Sequence, residues 1–154
     1  PGCTGIQGIA GPTGPTGPAV TLNAIHATHV SSQTLSSDGD PATFDTNQVE
    51  QGTVITHTAS TANFTLGEAG IYRINYNAVA TNTSGTGTVG LELQDDGAAI
   101  PGSESQATIS TTNNLVPLTA TVLVNAGAST VITLNATEAN TTLTNASIVI
   151  QKLN

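Results

Sequence analysis

Residues 64–80 read FTLGEAGIYRINYNAVA, and the second half of that stretch decides the fold. Tyr72, Ile74, Tyr76, Ala78 and Ala80 alternate with Arg73, Asn75 and Asn77. Successive side chains of a β-strand point to opposite faces, so this segment presents one apolar and one polar face. The turn glycines Gly67 and Gly70 set it off from a shorter apolar run, Phe64 to Leu66. Downstream, Val89, Leu91 and Leu93 alternate with Glu92 and Gln94 before a turn at Asp95 to Gly97. Leu118, Ala120, Val122 and Val124 alternate with Thr119 and Thr121 before a second turn at Asn125 to Gly127. STVITLNAT from Ser129 and NASIVIQKL from Asn145 close the series; TLNAIHATHV from Thr21, GTVITHTA from Gly52 and NFTL from Asn63 precede it. β-branched Thr, Val and Ile abound and helical i, i+3, i+4 stripes are absent. The spacing predicts an all-β domain of roughly eight or more short strands in a two-sheet sandwich, of jelly-roll or immunoglobulin-like type.

Composition narrows the function classes. Of 154 residues only 8% are charged; Arg73 and Lys152 are the two cations against ten acids, giving a formal net charge of -8. Phosphate backbones are bound by several Lys or Arg on one face, so a nucleic-acid partner is excluded, and so is a polybasic membrane contact. No run approaches the roughly 18 apolar residues of a membrane-spanning helix, so no membrane insertion is expected of this sequence.

Ahead of the domain the pattern changes. Gly2, Gly5, Gly8, Gly11, Gly14 and Gly17 fall on every third position, and Pro12, Pro15 and Pro18 each follow a glycine. Three polyproline II chains wound together bring every third residue to an axis where only glycine fits, and proline at the next position is already held near the required φ. Residues 1–19 therefore read as the C-terminal end of a collagen-like stalk, and residues 20–154 as the head. Six triplets are too few to stand alone, so the head is expected to hold three chains in register at high effective concentration. The sequence opens inside the repeat without Met, which points to a fragment of a longer protein.

Phe64, Gly70, Tyr72 and Ile74 form an F-x5-G-x-Y-x-hydrophobic arrangement. It resembles the signature of complement first-component globular heads and of the wider tumour-necrosis-factor-like superfamily. That resemblance implies a jelly roll assembled as a tight homotrimer behind a collagen stalk. Gly-Pro-Thr triplets at Gly11 to Thr13 and Gly14 to Thr16, with the aliphatic last strand, resemble the BclA-type collagen-like glycoproteins of the spore exosporium. The resemblance implies that Thr13 and Thr16 are candidate O-glycan carriers and that the location is the outside of a spore or bacterial cell. With two Phe and two Tyr, the aromatic core of the animal heads is mostly replaced by aliphatic residues, Thr and Ala. The likeness of Phe64, Gly70, Tyr72 and Ile74 to a core signature favours placing Tyr72, Ile74 and Tyr76 between the sheets; the alternative places them on a three-fold axis.

Catalytic chemistry finds no support. Cys3 is the only cysteine, leaving no internal disulfide; an interchain bridge and a plain free thiol are equally open. His26 and His29, three apart on a strand, point to opposite faces, and His57 is remote in sequence, so no metal centre is expected. Asp38 and Asp40 in SSDGDP, and Asp95 and Asp96 in DDG, sit where turns prefer Asp, and that reading is favoured over a calcium loop. Asn63, Asn82, Asn135, Asn140 and Asn145 each begin an N-x-S/T tripeptide, read here as ordinary polar strand and turn positions. No nucleophile elbow, phosphate loop or metalloprotease helix occurs. The expectation is a non-enzymatic structural surface protein without cofactor. Its first partner is itself, with other spore-coat or surface proteins or a host ligand left open. The alternative is a trimeric adhesin or phage-fibre tip binding by multivalency.

Overall fold

The computed structural model describes residues 1–14, 17 and 21–154, so Pro15, Thr16, Pro18 and the junction at residues 19 and 20 lie outside the described residues. Alternation becomes twelve strands among the described residues. They are β1 (Ala24–His29), β2 (Gln33–Leu35), β3 (Thr46–Gln51), β4 (Ile55–His57), β5 (Phe64–Leu66) and β6 (Gly70–Asn82), followed by β7 (Gly87–Asp95), β8 (Ala98–Ala99), β9 (Ser105–Ile109), β10 (Val116–Ala126), β11 (Thr130–Ala136) and β12 (Thr141–Lys152). They form two six-stranded antiparallel sheets. One runs β10-β6-β12-β1-β3 with β2 also paired to β12; the other runs β4-β5-β11-β7-β8 with β9 also paired to β7. Most neighbours in these orders are remote in sequence, as in a jelly roll.

The polar/apolar alternation maps onto burial strand by strand. On β6, Tyr72, Ile74, Tyr76, Ala78 and Ala80 are buried, whereas Ile71, Arg73 and Asn77 are exposed. Across from Ile74 stand Val122 of β10 and Ile150 of β12, on the same inner face. Leu91 and Leu93 of β7 and Ile132 and Leu134 of β11 meet them from the other sheet, making one core. Phe44, His57 and Phe64 stack at one flank: the His57 ring lies 4.1 Å from Phe64 at 11°, and Phe44 meets Phe64 edge-on at 5.4 Å. His57 also joins the two sheets, its Nδ1 2.6 Å from Asn47 Oδ1 of β3 and its Nε2 3.1 Å from the Thr61 carbonyl.

Both tyrosines bury their rings and keep a partner for the hydroxyl, the usual requirement for a buried phenol. Tyr72 donates to the Glu68 carbonyl (2.7 Å) and Tyr76 to the Ser103 carbonyl (2.8 Å). Burial first, then the charges of Glu104 and Glu92, drives the Tyr76 hydroxyl far above its ordinary pKa; burial, then Glu68, raises Tyr72. The folded values exceed the unfolded value of about 10, so this stability is intact below about pH 10 and is lost as pH rises through the folded values. Denaturant unfolding midpoints are expected to fall steeply above about pH 10, and more shallowly in Tyr76→Phe. An equally steep fall in that variant would show that Tyr76 is not the group responsible.

Strand ends and turns follow local chemistry. Gly52 takes φ 78°, and a Cβ there would run into the Asn23 side chain, whose Oδ1 accepts the Val54 N–H. Asp40 Oδ2 accepts the Ser37 N–H (2.9 Å) and Asp96 Oδ1 accepts the Val131 N–H (2.8 Å), so each carboxylate ties down a turn. No helix among the described residues is long and apolar enough to cross a membrane.

Candidate functional site

The four long or central strands β1, β6, β10 and β12 contain no Asp or Glu, although the chain carries ten. Their outward face is consequently free of negative charge. The pairing registers align that face in rows. One row runs Leu123, Arg73, Gln151 and Ala24 across β10, β6, β12 and β1; the next runs Thr121, Asn75, Val149 and His26, and reaches Val49 on β3. Beyond the first row Ile71 lies beside Leu153, whose N–H donates to the Ile71 carbonyl (2.8 Å), and Leu22 just precedes β1.

Exposed large apolar side chains concentrate here. Leu22 (56%), Ile71 (39%), Leu123 (66%), Leu153 (53%) and Val49 (52%) remain accessible, and of the described head residues only Val30 and Leu115 join them elsewhere. Apolar area gathered on one face of a domain marks an interaction surface. Behind this band the polar groups already satisfy one another. Asn75 Nδ2 donates to Thr121 Oγ1 (2.8 Å), Asn77 Nδ2 to Asn75 Oδ1 (2.9 Å), and Thr119 Oγ1 lies 2.8 Å from Asn77 Oδ1. Amides and hydroxyls paired within the face lose little when water is removed from it.

The band lies at the end of the head where the chain comes in. The Lys152 N–H donates to the Asn23 carbonyl (2.9 Å), and Thr21, Asn23 and Lys152 to Asn154 enclose a cleft of about 70 Å³. Gly70, at the start of β6, faces the same end, with Asn154 O 3.1 Å from where its Cβ would stand.

On this framework a family model for the BclA C-terminal domain matches residues 24–154. The chain belongs to the BclA C-terminal domain family. Among solved structures, the BclA-type head is similar to murine APRIL at pH 5.0, with a TM-score of 0.69, 13% identity, and coverage of 86% of this chain and 99% of that one. It is also similar to Eiger TNF from S. frugiperda (TM-score 0.68, 14% identity, 88% and 94% covered) and to the globular domain of zebrafish complement 1qA (0.63, 10%, 85% and 95%). No match was found among curated proteins. The BclA-type head is thus an all-β jelly roll of the kind found in tumour-necrosis-factor and complement heads.

The remaining sequence-stretch candidates fall in separate places. Phe64, Tyr72 and Ile74 are fully buried, Tyr72 and Ile74 on the core side of β6. Each of Gly2, Gly5, Gly8, Gly11, Gly14 and Gly17 has open space where a Cβ would stand in the single chain, and Thr13 and Cys3 are exposed. Thr16 lies outside the described residues. His26 sits on the outward face of β1, while His29 Nδ1 lies 3.7 Å from Asp45 Oδ2. No group of three or more His, Cys, Asp or Glu able to hold a metal ion occurs among the described residues. Of the N-x-S/T asparagines, Asn82 and Asn135 are buried and Asn63, Asn140 and Asn145 exposed. Sequence reading noted Arg73 but passed over the acid-free strands around it, a signal visible in composition counted strand by strand.

Proposed function

We propose that this BclA-type head is the trimerising clamp of a collagen-like fibre on the outside of a spore or bacterial cell, working by assembly and not by turnover. The observation that carries the reading is the outward face of the β10-β6-β12-β1-β3 sheet. It gathers most of the exposed large apolar side chains of the head, no acid lies on its strands β1, β6, β10 and β12 in a chain of net charge -8, and it adjoins the end where residues 21–23 enter β1. A second copy is the partner that fits, because in a chain of net charge -8 a face meant for another copy has to be kept free of the acids that would repel it. Three heads so joined bring three repeats together, and only glycine fits every third place on their common axis.

Light scattering is expected to give three times the monomer mass; a monomer or dimer at micromolar concentration overturns the reading. The order of dependence is a second expectation. Residues 20–154 alone are expected to trimerise, whereas a peptide of residues 1–19 shows no triple-helical circular dichroism near room temperature. A stable isolated stalk peptide would place the clamp in the repeat instead.

A further inference from the structure

A ring of three copies is held by contacts in which two different surfaces of the same chain meet, so each head must present a socket as well as a face. A groove of about 450 Å³ on the flank of the sandwich supplies one. Ala98, Ala99, Ile100 and Pro101 form one wall, Leu123 and Val124 of β10 the other, and Asp95 lies within it. Leu123 also belongs to the outward face, in register with Arg73, so groove and face share an edge. That continuity lets neighbours inclined around an axis set one surface against the other.

The charges are complementary. Among the described residues Lys152 pairs with Glu68 and the His29 ring lies 3.7 Å from Asp45, and the exposed Arg73 has no acid beside it. Asp95 shares the side of β7 that carries Leu91 and Leu93, standing opposite Ile132 of β11, where its carboxylate is partly withdrawn from water. Burial and then the adjacent Asp96 hold the Asp95 carboxyl above the usual carboxylate range. Asp96 is engaged with the Val131 N–H, so Asp95 is the groove carboxylate lacking a cation.

We propose that Arg73 of one copy enters the groove of the next and pairs with its Asp95, fixing the register of the three-fold ring. The pairing rests on the trimer reading above, with a second copy of this chain as the occupant of the groove. A guanidinium there neutralises a carboxylate that is poorly solvated in the single copy, and its planar fork fixes orientation.

Analytical ultracentrifugation of the full chain tests it, with wild type, Arg73→Glu, Asp95→Arg and the double exchange compared. Each single change is expected to weaken the trimer roughly thirtyfold or more, and the double exchange to return most of that loss. Asp95→Asn, which keeps the shape of the side chain, is expected to weaken assembly with an unchanged circular dichroism spectrum, separating lost pairing from lost folding. Single variants as tight as wild type, beside an Ile71→Asp variant that dissociates, would overturn the pairing and leave the assembly face standing. A monomeric wild type would overturn both.

Discussion

Ile74→Ala is expected to lower the thermal midpoint sharply, at a cost of about 2–5 kcal/mol, while the protein that stays folded keeps its assembled mass. Ile74 has no accessible surface, and it stands on β6 between Val122 of β10 and Ile150 of β12, paired on both sides within a six-stranded sheet. Strands held on both sides cannot close over the missing methylenes, so a cavity remains and the lost contacts add to the lost burial. Melting followed by circular dichroism gives the cost, and light scattering below the transition gives the mass. A folded monomer with unchanged secondary structure would move Ile74 from the core to the contact between copies.

The opposite outcome is expected three residues earlier, on the other face of the same strand. Ile71→Asp should leave the fold of the single head within about 1 kcal/mol of wild type, since Ile71 is part-exposed and contributes little to the core. Assembly should fail. Each contact would carry a carboxylate taken from water without a partner, worth about 3 kcal/mol or more, or roughly a hundredfold in affinity. Sedimentation at micromolar concentration should find monomers with native circular dichroism. Trimers as tight as wild type would remove the outward face from the assembly. Ile71 and Ile74 thus form a paired test, because an odd number of steps along a strand carries a side chain from one face to the other.

Period-two alternation made the sandwich legible. On β6 every apolar residue from Tyr72 to Ala80 that the pattern placed together is buried together, because the strand is regular and flanked on both sides. β12 was legible only from Asn145 onward, yet it begins at Thr141. A register shift between Thr144 and Ser147, with Asn145 at φ 55°, puts Leu143 and Ala146 on the same inner side although they are three residues apart. Alternation counted back from Ile150 therefore loses phase at the bulge. β3, TNQVEQ, carries no apolar alternation, being an edge strand exposed along most of its length. β2, β8 and β9 are too short or too polar to stand out. Strand order escaped for a different reason: alternation says which face a side chain takes, not which distant strand lies beside it. The groove at Asp95 is built from segments that become neighbours only through that order, so the sequence showed its carboxylate solely as part of a turn.

The central place of β12 in its sheet also sets a timetable. β12 lies between β6 and β1 and hydrogen-bonds to both, and it is the last of the twelve strands in chain order. Without β12, the pairs β10-β6 and β1-β3 would each present an unpaired edge. The sheet therefore closes only after translation has passed residue 152, and on the trimer reading proposed above the Gly-X-Y segment, which precedes the head, is expected to wind after it and from its C-terminal end. On that reading winding is directional, opposite to the direction in which the chains are made.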